Sequence, residues 1–147
     1  MKKAFSHKHK LILLLFSLFL RLQSASVLAE WQWACQAIDT TNLVGSETSI
    51  TEGSDNNMHI SYHDLTNKDL RYCEGATEEW ICQTIDSTND VGLYTSIVEG
   101  SDNNLHISHF DNTNEDLRYC EGKDTEWTCQ TIDSTNDVGY YSSIVEG

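Results

Sequence analysis

The sequence has no hydrophobic stretch long enough to cross a bilayer. Its longest apolar run, Leu11–Leu20, spans ten residues and includes one serine, whereas a membrane helix needs roughly 20. Lysines precede this run, and Val27-Leu28-Ala29 follows it with the small residues that signal peptidase accepts. We therefore predict a signal peptide over residues 1–29 and a mature chain over residues 30–147. The mature protein is expected to be secreted, periplasmic or on the cell surface, without membrane contact; an uncleaved anchor is the alternative.

Positive charge is scarce after this leader. Four basic residues remain against 23 acidic ones, which gives residues 30–147 a formal charge of −19. The four are Lys68, Arg71, Arg118 and Lys123. Such a surface repels nucleic acid and anionic lipid, so neither is an expected partner.

Signatures of catalysis are missing too. The sequence holds no Gly-x-Ser-x-Gly turn, no Ser-x-Asp-x-Gly-x-Thr-Trp box and no Cys-x-x-Cys pair. The recurring histidines, His59 and His106, are expected to pack and form hydrogen bonds within strands. We therefore name no catalytic residue.

What the sequence does contain is a repeat of 47 residues. A Trp-x-Cys-Gln motif begins at Trp33, Trp80 and Trp127, and residues 79–100 match residues 126–147 at 19 of 22 positions. The repeats divide the mature chain into units 30–78, 79–125 and a shorter 126–147. No segment after the leader has a helical period.

Each full unit reads as four short strands separated by loops rich in Gly, Asn and Asp. In the middle unit the expected strands are Trp80–Ile85, Tyr94–Val98, Leu105–Phe110 and Leu117–Cys120. Four strands in about 40 to 50 residues are typical of one β-propeller blade. We predict an all-β fold of propeller blades, each a four-stranded antiparallel sheet; a β-solenoid, a β-prism or another all-β fold is the alternative.

Three runs of the second unit, Val91–Ile97, Leu105–Ser108 and Asp111–Tyr119, read VGLYTSI, LHIS and DNTNEDLRY. They resemble the VGxYxSI…HISYYDxTNxDLxY repeat of secreted bacterial β-propeller proteins, whose strand phase is similar to that of NHL-type propellers. The resemblance implies that Tyr94–Val98 is the innermost strand of its blade and the Trp-Cys strand the outermost.

On that phase, residues 33–38 form a lone outer strand and residues 141–145 a lone inner one. The chain then holds an incomplete ring of about two and a half blades, whereas closed propellers have roughly four to eight. We expect either a fragment of a longer protein or a subunit that completes its ring by forming an oligomer.

Five cysteines in an exported chain suggest disulfides. Cys73 and Cys82 fall on consecutive strands, and Cys120 and Cys129 repeat the arrangement 47 residues later. Antiparallel hairpin partners lie close enough for a bridge. We predict the pairs Cys73–Cys82 and Cys120–Cys129, with Cys35 unpaired in this chain; Cys35–Cys73 with Cys82–Cys120 is the alternative.

Two sets of residues are candidate ligand sites. Trp33, Trp80 and Trp127 can stack on sugar rings, with packing between blades as the alternative role. The acidic loops offer oxygen ligands for Ca²⁺, the one cofactor we consider, although Asx residues also favour turns. The candidate metal ligands are Asp86, Asn89, Asp90, Asp133, Asn136 and Asp137.

Near-identical repeats carry near-identical sites, which suits multivalent binding. The sequence therefore favours a binding or adhesion module with a carbohydrate, or a protein, as its ligand. A passive surface scaffold and a non-catalytic fragment of a larger secreted propeller enzyme are the alternatives.

Overall fold

The structure is a computed structural model that describes residues 34–147. The predicted signal peptide and Trp33 lie outside the described residues. Eight strands follow one another along the chain: β1 (Val44–Glu52), β2 (Met58–Asp64), β3 (Asp69–Ala76), β4 (Glu79–Asp86), β5 (Val91–Glu99), β6 (Leu105–Asp111), β7 (Asp116–Lys123) and β8 (Glu126–Asp133). Residues 34–147 contain no helical segment that could serve as a membrane span.

The strands form two four-stranded antiparallel sheets, each a meander in chain order. Strands β1 to β4 make the first sheet, and β5 to β8 make the second. Strands β4 to β7 contain the four strands predicted for the middle unit, so the all-β prediction is confirmed.

Asp side chains close the tight turns between strands. Asp64 Oδ1, at the end of β2, accepts hydrogen bonds from the backbone N–H groups of Thr66 (2.9 Å) and Asn67 (3.0 Å). Asp111 makes the equivalent contacts 47 residues later. This local bonding is why Asp and Asn mark the ends of these strands in the sequence.

Both predicted disulfides are present. Cys73 faces Cys82 across β3 and β4, and Cys120 faces Cys129 across β7 and β8, with a Cα–Cα distance of 4.1 Å in each pair. Each bridge therefore joins the last two strands of its sheet. Cys35 is exposed and carries a free thiol. Structural disulfides persist in oxidising compartments, so the two bridges indicate an oxidising environment for this chain.

The lone strands expected at each end do not form. Residues 34–38 and 141–145 are extended or irregular rather than strands. A strand is defined by ladder hydrogen bonds to a neighbouring strand, and neither segment pairs with a strand of the two described sheets.

The hydrophobic core lies between the two sheets. Leu70 and Tyr72 of the first sheet pack against a buried cluster of the second sheet: Val91, Ile97, Leu105, Ile107 and Cys120. The outer face of the first sheet is open by comparison, since Ile50 is 60% exposed whereas the equivalent Ile97 is 5% exposed.

One hydrogen bond between the sheets recurs 47 residues later in the chain. The Ile97 N–H donates to Ser49 Oγ of the first sheet at 3.2 Å, and the Ile144 N–H repeats this contact on Ser96 of the second sheet, also at 3.2 Å. Residues 142–146 thus lie on the second sheet as the matching part of β5 lies on the first.

Candidate functional site

Two equivalent grooves lie where the last hairpin of each sheet turns. The first groove, at the β3–β4 turn, has a volume of about 620 Å³, and the second groove, at the β7–β8 turn, has a volume of about 550 Å³. The grooves have the same residue type at five lining positions 47 residues apart: Asn57 and Asn104, Glu74 and Glu121, Gly75 and Gly122, Glu79 and Glu126, Trp80 and Trp127.

A glycine opposite each tryptophan allows the indole to lie across its hairpin. Gly75 pairs with Trp80 across the strands, and a Cβ on this glycine would come within 2.9 Å of the indole ring. Gly122 and Trp127 repeat the arrangement, with a distance of 2.7 Å. Each indole is half-buried, so part of it packs on the hairpin and part lines the groove.

The two tryptophans differ in their other contacts. The Trp127 ring packs on Tyr72 of the first sheet, with ring centroids 5.1 Å apart, and its Nε1 donates to the Asp124 carbonyl at 3.1 Å. Among the described residues, Trp80 Nε1 is buried without a hydrogen-bond partner. Trp127 therefore packs between the sheets and also lines a groove, and stacking of the tryptophans on sugar rings stays a prediction.

A series of hydrogen-bonded polar side chains holds the glutamate of the first groove in place. Tyr72 Oη donates to Glu74 Oε2 at 2.9 Å, and His59 Nδ1 lies 2.6 Å from the same Tyr72 oxygen. His59 Nε2 lies 3.2 Å from Asp55 Oδ1.

The second groove has the same series of hydrogen-bonded side chains, but these residues are more exposed. Tyr119 Oη donates to Glu121 Oε2 at 3.0 Å, and His106 contacts both Tyr119 and Asp102. Burial, followed by the hydrogen bond to Glu121, raises the pKa of Tyr119 to about 12. Burial and Glu74 raise the pKa of Tyr72 in the same direction. Both hydroxyls therefore keep their protons and can hold the carboxylates.

The predicted calcium loop between β4 and β5 directs its side chains to different partners. Asp86 is buried and pairs with Arg118 at 2.7 Å. Asp90 pairs with Lys68 at 3.2 Å. Asn89 donates to Asp111 at 3.3 Å.

At the equivalent positions after β8, Asp133, Asn136 and Asp137 are exposed. Asp133 Oδ1 accepts a hydrogen bond from the Thr135 N–H at 2.8 Å. Calcium binding by either loop stays a prediction.

Two acid–arginine pairs, one half-buried and one buried, were not foreseen from the sequence, although their positions recur at a spacing of 47. Asp39 pairs with Arg71 at 3.0 Å, as Asp86 pairs with Arg118. Burial alone would raise the pKa of Asp39, but hydrogen bonds from Thr41 and Tyr62 and the charge of Arg71 hold it at about 2.

Each of these aspartates also lies near the disulfide of a sheet. Asp39 is close to Cys73 and Cys82, and Asp86 is close to His109 and Cys120. In each set, the side-chain atoms that could bind a metal lie within 4.8 Å of one another. The sulfurs are bonded to each other and offer no thiolate to a metal. The two aspartates are instead paired with arginines.

No family model and no curated protein matches the sequence. Among solved structures, the chain is similar to a fucose lectin from Kordia zhangzhouensis in complex with methyl-fucoside. The two share 11% sequence identity and a TM-score of 0.37, over 56% of this chain and 62% of the lectin chain. The chain thus spans less than two thirds of the lectin's length, and at these values the likeness decides neither fold nor ligand.

Proposed function

We propose that the protein is an exported, multivalent binding module that holds carbohydrate in its two grooves. One observation carries this proposal: the same combination of tryptophan, glutamate and asparagine lines both grooves at a spacing of 47 residues. A single asymmetric pocket would suit catalysis better than two matching grooves do.

The lining suits a sugar chemically. An indole offers a flat apolar surface on which the C–H face of a pyranose can stack. A carboxylate accepts hydrogen bonds from the ring hydroxyls, and a primary amide both accepts and donates them. Because Tyr72 and Tyr119 already hold Glu74 and Glu121 in place, little side-chain freedom is lost when a ligand binds.

Two weak binding sites on one rigid chain bind a polymeric ligand more tightly together than either site does alone. Once a polymeric ligand occupies one groove, the other meets it at a high effective concentration, which can raise the overall affinity by about 10²- to 10⁴-fold. A glycan polymer with repeated epitopes is the ligand that uses this arrangement.

We extend the proposal to the architecture. The two sheets are taken as neighbouring blades of a propeller related to the secreted bacterial repeat proteins that the sequence resembles. The recurrence of the Ser49–Ile97 contact as Ser96–Ile144 supports this, since stacked blades meet through one repeated interface. The two disulfides support export.

Glycan-array screening followed by calorimetry tests the function. Trp80→Ala and Trp127→Ala should each weaken binding of a polymeric hit by about 30-fold, as loss of a central aromatic does, and the double variant should abolish it. Leu65→Ala is the control, since Leu65 is 46% exposed and does not line a groove. Circular dichroism checks that each variant is folded.

The function is wrong if no glycan binds the unmodified protein. Binding that survives in the double variant places the ligand elsewhere and overturns the assignment of the grooves.

A further inference from the structure

We infer that the grooves select a cationic glycan, a polymer of amino sugars whose free amines are protonated. This inference rests on the proposed function and names the ligand class of the same two sites. It follows from the charges that surround each indole.

The first groove combines an aromatic face with negative charge. Glu74, Glu78 and Glu79 line it beside Trp80, and none of the described residues that line it is basic. A cation over the face of an indole is attracted by the ring, and tryptophan is the best of the aromatic residues for this contact. Neighbouring carboxylates add a second attraction for the same charge.

The position of Glu74 makes it the acid that contacts the amine directly. Its Oε2 is held by the Tyr72 hydroxyl at 2.9 Å, and the side chain is half-buried. Glu78 and Glu79 are exposed, so their attraction is screened by salt. Glu74 therefore supplies the directed contact, and the two exposed acids supply the surrounding potential.

The second groove repeats this design with one positive charge added. Glu121, Asp124 and Glu126 line it beside Trp127, but Lys123 takes the place of Ala76. The second groove is thus less negative than the first and should bind a cation less tightly. The chain provides its own comparison between two sites that differ in charge.

The acidic character of the whole mature chain strengthens the effect. A formal charge of −19 repels anionic glycans and raises the local concentration of cationic ones. Neutral sugars gain nothing from this field, so their amino counterparts are preferred by both groove and surface.

Matched oligosaccharides test the inference. Glucosamine oligomers and N-acetylglucosamine oligomers of equal length and linkage differ in charge at the same carbon. In calorimetry at low ionic strength, the free-amine oligomer should bind about tenfold or more tightly than the acetylated one. Raising the salt to physiological strength should reduce this difference, because the Debye length falls to about 8 Å.

A matched pair of charge variants adds a test on the protein. Lys123→Ala gives the second groove the residue of the first and should tighten binding of the free-amine oligomer. Ala76→Lys does the reverse and should weaken it. Both positions are exposed, so neither change disturbs the core.

The outcomes separate the two proposals. Equal binding of the two oligomers, or charge variants without effect, overturns the inference and leaves the glycan-binding function standing. Loss of all glycan binding overturns both. Oligolysine that binds as tightly as the amino sugar overturns the inference, because the grooves would then bind positive charge whether or not a sugar carries it.

Discussion

At the scale of single residues, the two halves of the described chain reuse the same polar contacts at different depths. Buried polar groups must find partners, and their loss costs most where water cannot replace them. His59 is 4% exposed and Tyr72 is fully buried, whereas His106 and Tyr119 are half-buried. The same hydrogen bonds should therefore be worth more in the first sheet.

Removing one hydroxyl measures this difference. Tyr72→Phe leaves His59 and Glu74 without their shared partner and should lower the free energy of unfolding by about 1–3 kcal/mol. Tyr119→Phe, the matched control, should cost less because water reaches His106 and Glu121. Urea unfolding compares the two, and equal losses would contradict the role of burial.

The low pKa of Asp39 predicts sensitivity to acid. Since its pKa is about 2 in the folded protein and about 3.9 in an unfolded chain, the ionised form stabilises the fold above pH 4. That contribution is lost as the pH falls from about 4 towards 2. Asp39→Asn should flatten this part of the stability–pH curve, measured by thermal unfolding at several pH values.

A graded variant checks the cause. Tyr62 donates to Asp39 at 2.6 Å, and this hydrogen bond is one of those that lower the pKa. Tyr62→Phe should therefore remove part of the acid dependence that Asp39→Asn removes. An unchanged slope in Asp39→Asn would show that other carboxylates control acid unfolding.

At the scale of strands and hairpins, local chemistry was enough to predict the middle unit but not the two ends of the described chain. Turn residues and β-branched runs located strands β4 to β7, and a hairpin separation of nine residues placed Cys73 opposite Cys82. The start of β5 was missed by three residues, because Gly92 and Tyr94 have positive φ values in an irregular stretch that still pairs with β6.

Contacts that depend on register or on stacking were not predictable. His59 meets Tyr72 because of how β2 and β3 align, and Asp86 meets Arg118 because one sheet lies on the other. Neither relation can be seen in one sequence. The tryptophans were recognisable as candidates, but the glutamates beside them were found through the structure alone.

The disulfides give a prediction for the hairpins. Replacing Cys120 and Cys129 together by alanine should lower the free energy of unfolding by about 2–3 kcal/mol, chiefly because the unfolded chain gains freedom. Urea unfolding of the variant and of the unmodified protein measures the loss. Peptide mapping without reduction checks the pairing, and free thiols at these positions would contradict it.

At the scale of the whole described chain, stability depends on how closely the two sheets approach. Gly92, at the start of β5, shows this most directly. A Cβ at this position would lie 2.7 Å from the Cα of Leu70 in the first sheet. Real side-chain atoms do not come so near, so the close approach of the sheets requires glycine there.

Gly45 is the matched control, because it has the same backbone conformation without the contact. Its φ is 87°, that of Gly92 is 93°, and a Cβ on Gly45 would meet no atom within 4 Å. Gly45→Ala should cost about 1–2 kcal/mol from the left-handed backbone alone. Gly92→Ala should cost a further 1–3 kcal/mol, because the sheets must move apart to admit the methyl group.

The difference between these two variants therefore measures the coupling between the sheets, with the backbone strain cancelled. Hydrogen exchange adds the location: in Gly92→Ala, protection should fall at the Ile97 N–H, which depends on Ser49 across the interface. Equal losses of stability in the two variants, with unchanged exchange at Ile97, would mean that the sheets are not packed through this contact. A stacked array of repeats predicts the opposite, because each sheet buries its face only against its neighbour.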